Sequence, residues 1–299
     1  MQPLLNPVSS AQARLGTTLS GKWRLDRVLG AGGVATVFLA THRNQSKAAL
    51  KLLHPEQALN PTVRDRFVYE GYTANSIDHP GVVKVIDDDI TEDGLPFLVM
   101  ELLEGETLEA RATRHGERLP ASDVLALMDQ LLEVLAVAHD KRVIHRDIKP
   151  DNLFLTRDGR LKVLDFGIAR LTEGLLNRDV TAVGTLMGTP SFMPPEQARS
   201  RWEDVDATSD LYSVGATMFT LLTGRLLREA ETITEQLALA IHEPAPALAS
   251  IDSSIDAGVC RLVDKALAYS KHDRFADART MLAEVRRLRE GAPPPRTNS

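Results

Sequence analysis

Two hydrophobic patterns divide this chain. Between residues 23 and 100, short apolar runs rich in β-branched and aromatic residues alternate with glycine-rich or polar turns, which is typical of strands. Further along, from Val124 to Ala138, apolar residues recur three and four positions apart, which predicts a buried helix. The chain is therefore expected to form strands early and helices late.

The early segments predict a sheet with one helix. Strands are expected at Trp23 to Leu29, Val37 to Leu39, Ala48 to Lys51, Val82 to Ile86 and Phe97 to Met100. A helix-compatible run covers Val63 to Glu70. Residues 1–22 have no clear period, so we interpret them as a loosely ordered N-terminal extension.

The later segments predict a hairpin followed by helices. Asp158-Gly159 separates two short apolar runs, which is a hairpin signal. A mostly apolar helix is expected to open at Asp206 and to run through Leu222, with Gly224 as its cap. Further helical stretches are expected near 234–241, 258–268 and 276–289, followed by a proline-rich tail or linker at 290–299.

Composition limits the possible classes of protein. The 299 residues are 43% hydrophobic and 25% charged, which is ordinary for a soluble protein with a sizeable core. The net charge of −6 argues against a general binder of nucleic acid or anionic membranes. Cys260 is the lone cysteine, so we expect no disulfide and a cytoplasmic location. No apolar run is long enough for a membrane span, and the histidines other than His145 show no metal-ligand spacing.

The candidate chemistry is concentrated in residues 145–152 (HRDIKPDN). This stretch places a carboxylate, an ammonium group and a side-chain amide at fixed offsets, and residues 164–167 (LDFG) add a second carboxylate. Both match motifs of protein kinases, so the chain resembles that family. The later Pro-Pro-Glu-Gln run at residues 194–197 makes it most like bacterial serine/threonine kinases of eukaryotic type. The resemblance implies an α+β, two-lobed fold. Its small antiparallel-sheet N-lobe carries one main helix, and its larger C-lobe is mostly helical.

The resemblance gives these side chains roles in phosphoryl transfer. Asp147 would accept a hydrogen bond from the attacking hydroxyl and orient it, while Lys149 would offset negative charge growing on the transferred phosphate. Asn152 and Asp165 would hold Mg²⁺, a hard ion that takes oxygen ligands. A polar turn with an ion-paired loop is the alternative interpretation, but the length of the joint match favours the kinase.

A glycine-rich turn comes earlier in the chain. At Gly30, Gly32 and Gly33, backbone N–H groups can approach phosphate oxygens because no Cβ intervenes. Ala35 stands where the kinase family usually has its third glycine. The turn also fits the dinucleotide-binding fingerprint, but that motif opens a helix, whereas residues 36–39 predict a strand. A plain hairpin turn is the other alternative.

The resemblance implies further nucleotide contacts. Lys51 would bind the α and β phosphates of ATP, and Glu70 would pair with Lys51, although each taken alone would be interpreted as a solvated surface charge. The residues implied for adenine are Met100 as gatekeeper, the backbone of Glu101 and Leu103, and the side chains of Val37, Ala49 and Phe154 around the base.

Residues 188–196 (GTPSFMPPE) resemble the segment that closes the kinase activation segment, with Pro194 in place of the usual alanine. Such a segment forms a platform for a peptide substrate. Thr189 would bond near Asp147 and Lys149 and favour a serine or threonine acceptor. Glu196 would form a buried ion pair with Arg274, which would lock the end of the segment.

Two other features of the resemblance concern the catalytic loop. Asp210 would accept hydrogen bonds from backbone N–H groups of that loop. Arg146 would be neutralised by a phosphate on the activation segment, and Thr181 and Thr185 are the candidate phosphorylation sites. Threonine is common in polar loops, so neither site is singled out by the sequence.

These observations lead to one interpretation with two alternatives. We expect an N-lobe at 23–100 and a C-lobe at 101–289, forming a protein serine/threonine kinase that uses ATP and Mg²⁺. Protein substrates would include its own activation segment, and self-association for phosphorylation in trans is left open. A pseudokinase that binds nucleotide or partners without transfer is the first alternative. The second is a small-molecule phosphotransferase, which would not need residues 188–196.

Overall fold

The computed structural model describes residues 11–166 and 190–291 of the chain. These residues divide into two units. Unit 1 contains residues 11–76 and 83–104, and unit 2 contains residues 77–82, 105–166 and 190–291. Residues 77–82 belong to unit 2 because Gly81 accepts a hydrogen bond from Val163 N (2.7 Å) and Val82 pairs with the same residue.

Unit 1 is built on an antiparallel sheet of six strands in the order β1-β2-β3-β4-β6-β5. The strands are β1 (Thr18–Leu19), β2 (Trp23–Ala31), β3 (Ala35–His42), β4 (Lys47–Leu53), β5 (Val85–Ile90) and β6 (Pro96–Met100). The sheet carries a short helix α1 (Pro55–Ala58) and the main helix α2 (Pro61–Ser76). Phe67 on α2 is fully buried in an apolar cluster with β4 and β6 residues, so α2 is fixed against the sheet.

Two details of unit 1 correct the expectations. Residues 11–22 are not a loose extension, because Leu19 pairs with Trp23 and is buried with Ala11 in the core of the sheet. The strand is too short to give a visible alternation. The strand expected from Val82 begins instead at Val85 and continues to Ile90, through three aspartates that lower its sequence signal.

Unit 2 is mostly helical. Its small sheet contains β7 (Gly105–Thr107), β8 (Leu153–Thr156) and β9 (Leu161–Val163) in that order. Its helices are α3 (Leu108–Arg114), α4 (Ala121–Asp140), α5 (Pro195–Ala198), α6 (Ala207–Thr223), α7 (Ile233–His242), α8 (Leu248–Ile251), α9 (Ala257–Ala266) and α10 (Ala278–Arg289). Among the helices of the described ranges, none has both the length and the apolar character required to cross a membrane.

Helices α4 and α6 form the centre of unit 2. Most residues of α6 are buried, as expected for a helix that is apolar on all sides. Its N-terminus is fixed by a capping box between Asp206 and Ser209. Its C-terminus ends at Gly224, whose φ of 70° lies in the left-handed region that favours glycine. The predicted ends of this helix are therefore confirmed.

We predict that Gly105→Ala destabilises unit 2 far more than Gly159→Ala. Both glycines have positive φ, +153° for Gly105 and +82° for Gly159. A Cβ added at Gly105 would collide with the carbonyl oxygen of Leu155, whereas a Cβ added at Gly159 would have no atom within 4 Å. Gly159→Ala should cost about 1 kcal/mol from backbone strain alone, and Gly105→Ala about 3 kcal/mol. Urea unfolding followed by circular dichroism measures both. Equal losses would contradict the predicted collision.

Candidate active site

The residues after α4 form a compact polar loop in unit 2. Lys149 Nζ lies 2.9 Å from Asp147 Oδ2. Asn152 Nδ2 donates to the same Asp147 oxygen (2.8 Å) and to the Asp147 carbonyl (2.7 Å). The ammonium group and the amide thus converge on one carboxylate, whose position is fixed from two directions.

Asp210 on α6 fixes this loop through hydrogen bonds to its backbone. Its carboxylate is fully buried and accepts the backbone N–H groups of His145 (2.9 Å) and Arg146 (2.7 Å). His139 Nε2 lies 2.8 Å from Asp210 Oδ2, the oxygen that also accepts the His145 N–H. Burial pushes the pKa of Asp210 up, but the hydrogen bond and charge of His139 outweigh this and hold the pKa below its usual value. Asp210 therefore stays ionised.

The hairpin β8–β9 brings Asn152 and Asp165 to its open end. Asn152 directly precedes β8, and its carbonyl accepts the N–H of Leu164, the residue before Asp165. His145 supports this end, since its Nε2 lies 2.8 Å from the Leu164 carbonyl oxygen. Asp165 has a φ of 56°, an uncommon conformation for a residue with a side chain. Two oxygen-bearing side chains thus lie at one end of a paired hairpin.

This donor set fits a magnesium ion. Asn152 and Asp165 offer amide and carboxylate oxygens, which Mg²⁺ prefers, and a small number of protein ligands leaves room for its waters. Within residues 11–166 and 190–291, no cluster of three or more histidine, cysteine or acidic side chains could form a dedicated metal cage.

The glycine-rich turn of unit 1 joins β2 to β3, as predicted. Gly30 pairs with Val37, and Val37 pairs with Lys51 on β4, so the three residues lie side by side on adjacent strands. Because Ala35 opens a strand, the dinucleotide-binding alternative, which requires a helix here, is wrong. Gly32 and Gly33 lie exposed at the turn.

Ala35 departs from the family pattern for a visible reason. The residue is 6% exposed and packs in the apolar cluster that also contains Val34, Leu53 and Phe67. The methyl group therefore contributes to the core of unit 1 and does not project into the turn formed by Gly32 and Gly33.

Lys51 and Glu70 are both buried, with 7% of each residue exposed. Lys51 Nζ lies 5.9 Å from the centre of the Phe67 ring, and Phe67 and Glu70 share the buried face of α2. Burying a charge is costly without polar or charged partners. The alternative that these residues are solvated surface charges is therefore wrong.

The residues predicted to contact adenine are divided between the units. In unit 1, Ala49 on β4 pairs with Met100 at the end of β6. Glu101 is fixed by Lys84, whose carbonyl accepts Glu101 N–H (3.0 Å) and whose N–H donates to Glu101 Oε1 (2.9 Å). Leu103 follows, partly exposed. Phe154 belongs to β8 of unit 2, where it pairs with Thr107.

Glu196 and Arg274 form a buried ion pair in unit 2. The two guanidinium nitrogens of Arg274 contact the two carboxylate oxygens of Glu196 at 2.7 and 3.0 Å, and Ser209 Oγ donates to Glu196 at 2.7 Å. Burial raises the pKa of Glu196, but the bonds and charge of Arg274 outweigh burial, so the pKa lies below its usual 4.5. The pair joins α5 to the segment before α10.

Only some of the predicted regulatory residues lie within the described part of the chain. Thr181, Thr185 and Thr189 lie outside the described residues. Arg146 is partly exposed and has a φ of 69°. Pro194 precedes α5 with φ −70° and ψ 156°, the extended conformation favoured before a proline, so proline fits where the family has alanine.

Two residues support the catalytic loop, His139 through Asp210 and Gln197 directly, and no sequence motif identifies either role. His139 bonds to Asp210, and Gln197 Nε2 donates to the Arg146 carbonyl at 2.9 Å. Their partners are 71 and 51 positions away in the chain. No spacing rule connects residues so far apart, and only the packing of α4, α5 and α6 shows the contacts.

Comparison with known proteins places this arrangement in a family. The model of the protein kinase domain matches residues 23–285, so the chain belongs to the protein kinase domain family. The fold class implied by the sequence is confirmed. Protein kinases as a family use ATP and Mg²⁺.

Among its relatives, serine/threonine-protein kinase Pkn1 of Myxococcus xanthus is 37% identical over 92% of this chain and 39% of its own length. Serine/threonine-protein kinase PrkC of Bacillus subtilis is 32% identical over 91% of this chain and 41% of its own length. The crystal structure of the Mycobacterium tuberculosis PknI kinase domain has a TM-score of 0.71 at 26% identity and covers 93% of this chain and 98% of that one. The chain thus spans about two fifths of these curated relatives.

We predict that Arg274→Met lowers the stability of unit 2 by about 3–5 kcal/mol, because it leaves the Glu196 carboxylate buried without its cation. The double variant Glu196→Gln, Arg274→Met should recover part of this loss. Denaturant unfolding can be followed by Trp202 fluorescence in a Trp23→Phe background, where Trp202 is the only tryptophan.

The same pair gives a pH dependence of known sign. Because the pKa of Glu196 lies below 4.5 in the folded chain, its stabilising contribution is complete above that pH and is lost as pH falls through the folded value. The stability difference between wild type and Arg274→Met should therefore shrink on acidification. A difference that stays constant into the acid range would argue against this ion pair.

Proposed function

We propose that this chain transfers the γ-phosphate of ATP to serine or threonine hydroxyls of proteins, including its own activation segment. The observation that carries this proposal is the convergence of Lys149 and Asn152 on the Asp147 carboxylate, at 2.9 and 2.8 Å. Phosphoryl transfer needs positioned charges more than covalent chemistry, and this loop supplies them. The printed names of the relatives, serine/threonine-protein kinases, support the same activity.

Within unit 2, four side chains share the tasks of the transfer reaction. Asp147 accepts the hydrogen bond of the attacking hydroxyl and aims its oxygen at the phosphorus. Lys149 stabilises the charge that develops on the transferred group. Asn152 holds Asp147 in place and, with Asp165, offers oxygen ligands to Mg²⁺. The ion supplies charge neutralisation at the phosphate oxygens.

Unit 1 contributes the groups for the nucleotide. Backbone N–H groups of the turn at Gly32 and Gly33 bind phosphate oxygens, and Lys51 binds the α and β phosphates with Glu70 as its partner. The backbone of Glu101 and Leu103 binds the adenine edge, and Met100 is the gatekeeper at the back of the pocket. These assignments follow the positions of the family motifs, and the burial of Lys51 and Glu70 supports them.

The proposal extends to substrate and compartment. Residues 188–196 form the peptide platform, and Thr189 selects serine or threonine acceptors. The chain associates with a second copy to phosphorylate the activation segment in trans. Since its one cysteine, Cys260, is buried and has no thiol within the chain to pair with, a reducing compartment such as the cytoplasm suits it.

We predict that Asp147→Asn abolishes phosphate transfer, with a loss of about a thousandfold or more, while ATP binding persists. The amide keeps the shape of the carboxylate but accepts the hydroxyl proton poorly. The measurement is transfer of labelled phosphate from ATP with Mg²⁺ to the protein itself and to a generic basic protein. Equilibrium binding of ATP is measured in parallel.

Asp158→Asn is the matched control, because it makes the same charge change at an exposed turn between β8 and β9. It should transfer phosphate at the wild-type rate. Normal turnover by Asp147→Asn would refute the role of Asp147. A wild type that binds ATP but transfers no label would support the pseudokinase alternative.

We predict that Thr181→Ala with Thr185→Ala lowers activity about tenfold, a typical coupling between a modification and an active site. The reason is loss of the phosphate that neutralises Arg146. In an Arg146→Gln background the same two substitutions should have no further effect, because the partner is already gone. Unchanged activity, in a protein whose phosphorylation at these threonines is shown by mass spectrometry, would rule out this switch.

A further inference from the structure

Helix α5 carries a glutamine that contacts the catalytic loop. Gln197 follows Glu196 directly and is 5% exposed. Its Nε2 donates to the carbonyl oxygen of Arg146 at 2.9 Å. That carbonyl belongs to the peptide group that leads into Asp147, so the contact reaches the peptide unit from which the proposed catalytic carboxylate extends.

This peptide group is held at both of its polar atoms. Gln197 binds its carbonyl, and its N–H, which is that of Asp147, donates to His145 Nδ1 at 3.2 Å. The N–H of Arg146 is bound separately by Asp210 at 2.7 Å. These contacts define the orientation of the peptide plane before Asp147, and Gln197 supplies the hydrogen bond from α5.

The peptide group needs these hydrogen bonds because the backbone is strained at Arg146. Arg146 has a φ of 69°, in the left-handed region where a Cβ lies too close to the backbone. Strained conformations persist only where surrounding contacts determine them. Without the bond from Gln197, the Arg146 carbonyl would lose its partner on α5 and the peptide could rotate.

The geometry also argues against a purely local role for Gln197. In the described part of the chain, its Oε1 has no hydrogen-bond partner although it is buried. Turning the amide round would place this oxygen against the Arg146 carbonyl, so the donor must face the loop. The side chain therefore makes its hydrogen bond to the catalytic loop and leaves its acceptor unsatisfied.

We propose that Gln197 is a positioning residue that couples the docking of α5, at the end of the peptide platform, to the orientation of Asp147. The inference rests on the proposed kinase function. When α5 is docked, the Arg146–Asp147 peptide is fixed and transfer is fast. When α5 is displaced, this peptide is released and transfer slows, while nucleotide binding, which uses other residues, is unchanged.

Two substitutions separate the hydrogen bond from packing. Gln197→Met keeps the length of the side chain but has no donor. Gln197→Glu keeps its shape and has a donor only when the carboxyl is protonated, and burial raises the pKa of such a group. For both variants we expect kcat to fall about tenfold near pH 8, the value of one lost hydrogen bond, with an unchanged KM for ATP.

The two variants should differ when the pH is lowered. Toward about pH 6, Gln197→Glu should regain much of its kcat relative to wild type, because protonation restores an O–H donor to the Arg146 carbonyl. Gln197→Met should stay low throughout. The titratable and charged groups around this contact are the same in both variants, so the ratio of the two rates isolates position 197. They are His139, His145, Arg146, Asp147, Lys149, Glu196, Asp210 and Arg274.

A second measurement does not depend on activity. Hydrogen exchange of the Arg146 and Asp147 amides should be faster in Gln197→Met than in wild type, because the bonds that protect them weaken. Gln236→Glu on α7 is the control for added charge and should behave as wild type in both assays.

The outcomes separate this inference from the proposed function. Wild-type kcat and wild-type exchange in both variants at position 197 would overturn the inference and leave the kinase intact. Equal losses in both variants at every pH, with a raised KM for ATP, would show a packing role only and would also overturn it. A wild type without transfer would refute the proposed function, and the exchange of the Arg146 and Asp147 amides would then decide the positioning role alone.

Discussion

A buried carboxylate that binds backbone N–H groups is the interaction on which the candidate active site depends. Asp210 is fully buried, and its desolvation is offset by the N–H groups of His145 and Arg146 and by His139. It also lies in the first turn of α6, where the helix dipole favours a negative charge. Because α6 is itself buried on most sides, the catalytic loop is fixed to the core of unit 2.

This anchoring allows the loop to hold conformations that would otherwise relax. Arg146 and Asp165 both have positive φ, 69° and 56°, although neither is glycine. Strain of this kind is maintained by contacts made elsewhere. Here these are Asp210, the paired hairpin β8–β9 and Gln197, which come from three different parts of the chain. These contacts fix the positions of the polar side chains around Asp147.

The departures from the family pattern are explained by packing. Ala35 replaces a glycine, and its methyl group fills part of the apolar cluster beneath β3 and β4. Pro194 replaces an alanine at a position that is extended in any case, because Pro195 follows. Neither change removes a charged or hydrogen-bonding side chain, so the family's chemistry remains compatible with this chain.

The sequence by itself determined the motifs, the longer strands and helices, and the ends of α6, because these depend on neighbouring residues. It did not predict β1, β7 or the short helices α1, α3, α5 and α8. It did not determine that residues 11–22 join the sheet, that β5 runs through aspartates, or that Lys51 and Glu70 are buried. It also missed His139 and Gln197, whose partners are 71 and 51 positions away. Tertiary packing decides such contacts, because burial and long-range hydrogen bonds arise only when distant segments meet.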